Sequence, residues 1–308
     1  MFKFKPLIVA VLAVTAAQAF ASDNNEGIIY QDGINQEATI VQAGDRQLSV
    51  ITQTGGTGKN KASSDQDGSR NTVEATQQGQ WHDLTVTQTG SRLQASVLQQ
   101  TWNNDATIAQ TGRFNNIDLH QKGWNNRVTA DQAGSLNDIN VYQQGESHRA
   151  TLDQTGTLNS IETSQQDGRN AVNIAQSGVE NDVGSYQTGN RNAANVIQSG
   201  LLNDVVLVQG GMDSNAELIQ AGSFNDMYVE QSGADNFANA NQSGVSNEVE
   251  LTQNSTGSEA FLLQSGAFNL VDVGQTGADH LANVTQGGLF NEALVTQIGT
   301  GNIANITQ

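Results

Sequence analysis

The chain of 308 residues carries 31 acidic residues against 13 Lys and Arg, a formal net charge of −18 at pH 7. Such acidity excludes a protein that grips nucleic acid through its phosphates, because that contact needs clustered Lys and Arg. With no cysteine and only one proline, Pro6, the composition also excludes a disulfide scaffold and suits a chain in which nearly every backbone N–H joins a sheet.

Residues 1–21 are typical of a secretory signal peptide. Two lysines precede the apolar run Leu7–Val14, and small residues follow, with cleavage expected near Ala19 or Ala21. The apolar run is too short for a stable membrane span, and no later stretch approaches that length. We therefore expect an exported chain whose single repeat domain covers 22–308, with no membrane span in the mature chain.

A glutamine recurs every 11 residues along the rest of the chain. The step is unbroken from Gln66 to Gln308, and Gln31, Gln42 and Gln53 keep it before a two-residue insertion. Each unit reads Asn-x-Z-x-Z-x-Gln-x-Gly-x-x, where Z is apolar and x is any residue. A fixed short period indicates that one supersecondary unit is stacked many times.

Within each unit the Asn, the apolar pair and the Gln alternate with polar residues, which predicts a strand with one buried face. Apolar residues do not recur at steps of three and four, so a helix is excluded. The segment after each Gln predicts a turn that places Gly at a positive backbone φ. The predicted turn glycines include Gly178, Gly189, Gly200, Gly211, Gly222, Gly233 and Gly244.

Large and small residues alternate at the first apolar position, which indicates that two units form one coil. Successive units carry Val183, Ala194, Val205, Ala216, Met227 and Ala238. Two inequivalent strands that face each other across a thin core need this pairing of volumes. The expected fold is all-β: a β-solenoid of stacked β-arches with two strands per coil and about 13 coils of 22 residues. At about 4.8 Å per coil it would be roughly 60 Å long.

Stacked coils place Gln on Gln and Asn on Asn. A side-chain amide has donors and an acceptor, so identical amides can bond along the axis while buried, whereas Glu would stack like charges and lack donors. Three histidines, His82, His148 and His280, take the Asn position, where a neutral imidazole also donates and accepts. The predicted amide ladder includes Gln187, Gln198, Gln209, Gln220, Gln231 and Gln242, with Asn181, Asn192, Asn203, Asn225, Asn236 and Asn247.

The first outward position of the unit is acidic on four successive coils, at Asp182, Asp204, Asp226 and Glu248. One interpretation is a solvated face of gatekeepers that keeps the monomer soluble and slows aggregation. The other is a regulatory column: stacked carboxylates repel, so acid or divalent cations would favour assembly. Both interpretations stay open.

Aromatic and basic turn residues also recur at the coil spacing. They could pack as ladders or form surface stripes that bind a host molecule or a dye. The pairs are Trp102 and Trp124, Arg70 and Arg92, and Arg169 and Arg191.

The unit resembles the curlin repeat, Gln-x-Gly-x-x-Asn-x-Ala-x-x-x-Gln, which recurs literally in Gln187–Gln198, Gln231–Gln242 and Gln297–Gln308. The resemblance covers nearly all of the mature chain. It implies a secreted subunit of curli, the extracellular amyloid fibres on the surface of Gram-negative bacteria that serve adhesion and biofilm matrix. Family members cross the outer membrane unfolded through a dedicated pore, and the resemblance also implies periplasmic chaperones and a nucleator as partners.

The carboxyl end is the expected assembly edge, because it carries none of the proline, charge or helix that protects the end of a solenoid. Its residues are Asn302, Ala304, Ile306 and Gln308. An open sheet edge is a template for another copy. We expect head-to-tail polymerisation into a cross-β fibre, with other copies and a related curlin-type subunit or nucleator as partners. The alternatives are a fibre nucleator and a monomeric, surface-held adhesin.

No enzyme, cofactor or metal site is expected. Polysaccharide-cleaving β-helices need inequivalent residues that converge at one place, whereas the acids here are periodic. The Gly-Gly-x-Gly-x-Asp pattern of calcium-binding β-rolls is also missing from the sequence.

Overall fold

The computed structural model describes residues 24–56 and 58–308, and the predicted signal peptide at 1–21 lies outside them. The described residues form 26 strands. In chain order they are β1 (Glu26–Asp32), β2 (Glu37–Asp45), β3 (Leu48–Thr54), β4 (Lys61–Ser69), β5 (Thr72–Gln80), β6 (Asp83–Ser91), β7 (Gln94–Trp102), β8 (Asp105–Arg113), β9 (Asn116–Trp124), β10 (Arg127–Ser135), β11 (Asp138–Glu146), β12 (Arg149–Thr157), β13 (Ser160–Gly168), β14 (Ala171–Val179), β15 (Asp182–Asn190), β16 (Ala193–Leu201), β17 (Asp204–Met212), β18 (Asn215–Ser223), β19 (Asp226–Ala234), β20 (Phe237–Val245), β21 (Glu248–Thr256), β22 (Glu259–Ala267), β23 (Leu270–Ala278), β24 (Leu281–Gln286), β25 (Glu292–Thr300) and β26 (Ile303–Thr307).

The strands form two parallel sheets of 13 strands each. The odd sheet runs from β1 to β25 and the even sheet from β2 to β26. Neighbouring strands pair in register, so that Asp204 lies beside Asp226 and Gln209 beside Gln231. Two successive strands make one coil, and the expected β-solenoid of about 13 coils is confirmed. In the part of the chain that the structure describes, no helix is long and apolar enough to cross a membrane.

The core is a thin layer between the two sheets, built by alternation along each strand. In β17 the side chains of Val205, Leu207 and Gln209 are buried, while Asp204 faces outward. In β18 the corresponding buried apolar pair includes Leu218, and both leucines belong to one continuous core cluster. Full burial of a leucine side chain contributes about 1.5–3 kcal/mol, and the cluster repeats this contribution in nearly every coil.

Most turns contain two residues with a positive φ. The first is the glycine two residues after the Gln, and all seven predicted turn glycines have φ between 91° and 120°. The second is the residue before the Asn, where even bulky side chains adopt the left-handed conformation, as at Leu202 (φ 53) and Phe224 (φ 58). The backbone N–H of Phe224 donates to Leu201 O of the preceding coil at 3.0 Å, so coil stacking holds this turn in place.

The two-residue insertion lies in the turn between β3 and β4, within the segment 54–60. Across it the step along the glutamine column lengthens to 24 residues. Gln42 Nε2 still donates to Gln66 Oε1 at 2.9 Å, and Gln53 Nε2 donates to Gln77 Oε1 at 2.7 Å. The turn therefore accommodates the extra residues without a change of register.

The turn glycines generate a stability prediction. A Cβ added at Gly222 would overlap the carbonyl oxygen of Gly244 in the next coil, and the residue has a φ of +117°. We expect Gly222→Ala to lower the free energy of unfolding by about 2–5 kcal/mol, from backbone strain and overpacking together. Urea unfolding followed by circular dichroism measures the change.

Gly274→Ala is the matched control, because a Cβ there would meet no atom within 4 Å and its φ is not positive. We expect a change of less than about 1 kcal/mol. Equal losses in the two variants would contradict the close approach of turn backbones in successive coils.

Candidate assembly surfaces

Two columns of buried glutamines run along the solenoid, one from each sheet. In the odd sheet Gln187 Nε2 donates to Gln209 Oε1 at 2.7 Å, and Gln209 Nε2 donates to Gln231 Oε1 at 2.8 Å. Each side chain thus donates to the one a coil later. The even sheet repeats the arrangement, with 2.8 Å at both steps, through Gln198, Gln220 and Gln242.

The glutamine amides also tie the two sheets together. Gln187 Nε2 donates to Ala171 O at 2.9 Å, and Gln209 Nε2 donates to Ala193 O at 3.0 Å. Both carbonyls belong to the first residue of a strand in the opposite sheet. A buried polar atom without a partner costs about 1–3 kcal/mol, so these bonds make the amide tolerable in a core. An ionised glutamate at the same place has no N–H, so it could donate neither the bond to the next coil nor the bond to the opposite sheet.

The asparagines act mainly on the turns. Asn203 Nδ2 donates to Ser199 O at 2.9 Å and to Gly222 O at 3.0 Å, and Asn203 Oδ1 accepts from the backbone N–H of Asn225 at 3.0 Å. Side chains bond directly only at some positions, as from Asn203 Nδ2 to Asn181 Oδ1 at 3.2 Å. Asn is one methylene shorter than Gln, so its amide bonds mainly with the backbone of its own turn and of the turn in the next coil.

The other predicted asparagines make the same three backbone contacts. In each case the amide nitrogen donates to one carbonyl in its own turn and to one in the next coil, and Oδ1 accepts a backbone N–H from the next coil. These residues are Asn181, Asn192, Asn225, Asn236 and Asn247.

Histidines reproduce two of these three contacts where they replace Asn. His82 Nε2 lies 3.2 Å from Gln78 O, and His82 Nδ1 lies 3.2 Å from the backbone nitrogen of Asn104. Only the neutral tautomer with hydrogen on Nε2 satisfies both contacts. Burial lowers the pKa of His82 and of His148 and outweighs the opposing backbone hydrogen bonds. Their contribution to stability is therefore lost as the pH falls below the ordinary histidine pKa of 6.5. His280 makes equivalent contacts.

A family model described as the curlin associated repeat matches six stretches of the chain: 83–112, 102–134, 112–145, 137–166, 256–288 and 277–308. The chain therefore carries curlin repeats in two blocks, 83–166 and 256–308. Between the matched stretches the solenoid continues with the same pairing. No protein with a curated description matches the chain significantly.

The curlin repeats and the solenoid fold together indicate a curli-type structural subunit. The family is structural rather than enzymatic. Among the described residues, no group of three or more His, Cys, Asp or Glu side chains is placed to hold a metal ion.

The two ends of the curlin solenoid carry opposite hydrogen-bonding groups. At the carboxyl end Gln297 lies in β25 and Gln308 directly follows β26, and neither amide nitrogen donates to a glutamine among the described residues. At the other end Gln31 and Gln42 donate onward to Gln53 and Gln66, but no described residue donates to their Oε1 atoms. Each column therefore ends in an amide nitrogen at the carboxyl end and in an amide oxygen at the other end. Gln308 Nε2 donates to Glu292 O alone and keeps one hydrogen free, whereas Gln297 Nε2 donates to both Leu281 O and Asn302 O.

The apolar positions of the terminal coils are incompletely covered. Ala304 and Ile306 at the carboxyl end, and Ile29 and Ile40 at the amino end, pack against the core but are only partly buried. Asn302 and Gln308 are exposed. Burial of apolar surface contributes about 25 cal/mol per Å², so a further coil at either end would be favourable.

The acidic column lies on the outer face of the odd sheet, where Asp182, Asp204, Asp226 and Glu248 are direct neighbours on successive strands. Partial burial of the Asp204 carboxyl, together with the charges of Asp182 and Asp226, raises its pKa to about 6. An ionised Asp204 therefore opposes folding at neutral pH, and this effect disappears on protonation.

The recurring turn residues form ladders only in part. Trp102 and Trp124 are in contact, with ring centroids 5.9 Å apart. Arg92 lies over the Phe114 ring of the next coil at 4.8 Å, and Arg191 pairs with Asp213 at 2.6 Å. Arg70 and Arg169 take the left-handed turn position before the Asn.

Some units interrupt the asparagine contacts. Ser214 occupies the Asn position of its unit, and its buried Oγ has no hydrogen-bond partner. At Gln47 the longer amide donates to Ala43 O at 2.8 Å, but its Oε1 has no partner. The Gln36 amide has no partner for either polar atom.

The interruption at Ser214 generates a second stability prediction. Asparagine there would donate to two turn carbonyls and accept the backbone N–H of Asn236, as Asn203 does for Asn225. Each net hydrogen bond contributes about 0.5–1.5 kcal/mol, so we expect Ser214→Asn to raise the free energy of unfolding by about 1–3 kcal/mol.

Urea unfolding measures the gain, with Ser214→Ala as the control. That variant removes an unpaired hydroxyl without adding a contact, so it should lie within about 1 kcal/mol of the wild type. A Ser214→Asn chain no more stable than Ser214→Ala would show that the asparagine contacts do not stabilise the coil.

The pKa of Asp204 generates a prediction of pH dependence. Because the folded pKa of about 6 lies above the unfolded value, the penalty of the charged form is fully present above pH 6 and fades towards pH 4. We expect Asp204→Asn to unfold at higher urea than the wild type at pH 7.5, with the two midpoints converging at pH 4.5.

The comparison isolates Asp204, because the buried histidines act equally on both chains. A midpoint difference that is the same at both pH values would remove the acidic column as a pH-sensitive element.

Proposed function

We propose that this chain is a structural subunit of curli-like extracellular amyloid fibres that support adhesion, aggregation and biofilm matrix. The subunits stack head to tail, so that the coil repeat continues from one molecule to the next as cross-β structure. The observation that carries the proposal is the complementarity of the two ends of the solenoid.

The complementarity is specific in its register. A second copy placed one coil beyond the carboxyl end would bring its β1 beside β25 and its β2 beside β26. Gln297 Nε2 would then donate to Gln31 Oε1 of the second copy, and Gln308 Nε2 would donate to Gln42 Oε1. If two carboxyl ends faced each other instead, the amide nitrogens of one copy would lie against the amide nitrogens of the other. The ladder therefore favours a polar fibre.

The apolar groups agree with this register. Ala304 and Ile306 of one copy would cover Ala38 and Ile40 of the next, in the pattern that the even sheet uses internally, as in Ala282 beside Ala304. The edge strands themselves supply unpaired backbone N–H and C=O groups, which are templates for another strand.

The proposal includes partners and a location. Other copies are the principal partner, with a related curlin-type subunit or nucleator at the start of the fibre. Export through an outer-membrane pore with periplasmic chaperones is part of the proposal by family resemblance, as is the position of the fibre on a Gram-negative surface.

A second candidate is a nucleator or a monomeric surface-held adhesin. The amino-terminal coils favour it, because Gln36 and Gln47 replace Asn there and leave buried polar atoms unpaired. An amino end weakened in this way would bind the carboxyl edge of another copy less tightly than a regular coil would. Such a chain would seed growth from its carboxyl edge alone.

The assembly edge generates the test. We expect the double variant Gln297→Met and Gln308→Met to slow elongation from preformed seeds at least about tenfold, because each interface loses two amide hydrogen bonds of about 1 kcal/mol. Thioflavin fluorescence measures the rate, and electron microscopy identifies the fibres.

Gln78→Met with Gln100→Met is the matched control, since this exposed amide pair bonds outside the core at 2.8 Å. It should elongate within about twofold of the wild type. Wild-type chains that remain monomeric after removal of denaturant would favour the second candidate, and undiminished growth of the edge variant would reject the proposed register.

A further inference from the structure

All three tryptophans of the chain lie together on one turn edge of the solenoid, although the repeat does not call for them. Trp81, Trp102 and Trp124 are 51%, 48% and 52% exposed. With Asn103 and Asn125 they line a shallow groove of about 550 Å³. Contiguous exposed apolar patches rimmed by polar residues mark binding surfaces.

Folding does not explain the choice of tryptophan here. Trp81 has a φ of 65°, and the residues in the same turn position one and two coils later are Asn103 and Asn125, with φ of 52° and 57°. Asparagine tolerates this conformation better than a bulky residue does. The Trp102 and Trp124 rings are tilted by 59° instead of stacked, so ring faces remain open to solvent.

Amide groups lie between the indoles. Asn103 Nδ2 donates to Asn125 Oδ1 at 2.7 Å. Asn125 Nδ2 and Asn103 Oδ1 have no partner among the described residues, so one donor and one acceptor face the groove edge. This arrangement offers hydrogen bonds beside aromatic surfaces.

The groove continues onto the even sheet as a second depression of about 450 Å³, which shares Trp81 and the two asparagines. Its lining adds two carboxylates and two guanidinium groups, and Arg127 Nε pairs with Asp105 Oδ2 at 3.0 Å. The formal charge of these four groups is zero, in a chain of net charge −18. The four residues are Asp83, Asp105, Arg127 and Arg149.

We propose that this tryptophan groove binds a neutral polysaccharide of β-linked hexoses. The C–H faces of such pyranose rings are flat and pack on indole faces, while the equatorial hydroxyls reach amide, carboxylate and guanidinium groups at the ring edge. The balanced charge of the groove favours a neutral chain over a polyanion. The combined size is that of an ordinary ligand site.

The groove lies on a turn edge and begins at Trp81, after β5, two coils in from the amino-terminal strands. End-to-end stacking of copies covers the terminal strands and leaves this turn edge accessible. Each subunit of a fibre would present one groove at a fixed repeat. Many weak sites along one fibre would hold a long polysaccharide far more tightly than a single groove does. The inference does not depend on fibre formation, because the groove is complete in one molecule.

Tryptophan fluorescence tests the proposal directly, because every tryptophan of the chain lines the groove. A soluble hexamer of β-1,4-linked glucose is titrated into the full chain, as monomer and as fibre. We expect a saturable change in emission and reduced quenching by acrylamide. The α-1,4-linked hexamer and an oligomer of β-1,4-linked mannuronate should bind at least about tenfold more weakly.

The variant pair separates the groove from general surface effects. Trp102→Ala with Trp124→Ala should weaken binding at least about tenfold, with Trp81 as the remaining reporter. Phe268→Ala with Phe290→Ala removes a stacked exposed pair, 5.1 Å apart, from the opposite turn edge, and should leave binding unchanged. Circular dichroism establishes that both variants are folded.

Several results would overturn the proposal. One is an unchanged emission of the wild-type chain with the β-linked hexamer, which needs no variant. Others are equal binding of the three oligomers, or equal losses in the two variants. Loss of acrylamide quenching on fibre formation without any glycan would show that another copy occupies the groove.

Discussion

The structure depends on one repeated interaction, the hydrogen bond from a glutamine amide to the same amide one coil later. It keeps the strands of successive coils in register, because a missing residue within a strand would move the next glutamine to the outer face. The one longer coil, which contains the two-residue insertion, keeps this register by placing the extra residues in a turn. This hydrogen bond also explains why the repeat has glutamine at this position in every unit. Gln209 donates both to Gln231 and to a backbone carbonyl of the other sheet, and no other uncharged side chain of that length offers both bonds.

The turns are the second constraint, and they are held by stacking rather than by local preference. Leu202 and Phe224 occupy a backbone region that costs roughly 1–2 kcal/mol for an ordinary residue. Their backbone N–H groups continue the ladder of the strands, and the nearby asparagine fixes the turn carbonyls. Each coil is thus a template for the conformation of the next, and the conformation has little reason to form in isolation.

Much of this could be predicted from the sequence, because periodicity reports directly on repeated contacts. The 11-residue step predicts one strand in each unit, and the alternation of Val205 with Ala216 predicts two strands in each coil. The left-handed backbone at Leu202 could not be predicted, since leucine does not favour it and only the stacked coils impose it. The asparagine contacts with turn carbonyls, as at Asn203, and the tryptophan groove likewise depend on distances across the turn that spacing alone does not contain.

The interruption at Ser214 has a mechanical consequence. All ladder bonds run along the solenoid axis, so a pulling force on the two ends loads every bond between two coils at once. Rupture then requires a whole interface to open together, which makes the molecule strong in tension and sets its lifetime under load by an unfolding rate. The interface beyond Ser214 carries fewer such bonds than its neighbours, since the Ser214 hydroxyl makes none. Under tension the solenoid would tear at such an interrupted coil before it tears at a regular one, with intact blocks of β-structure left on both sides.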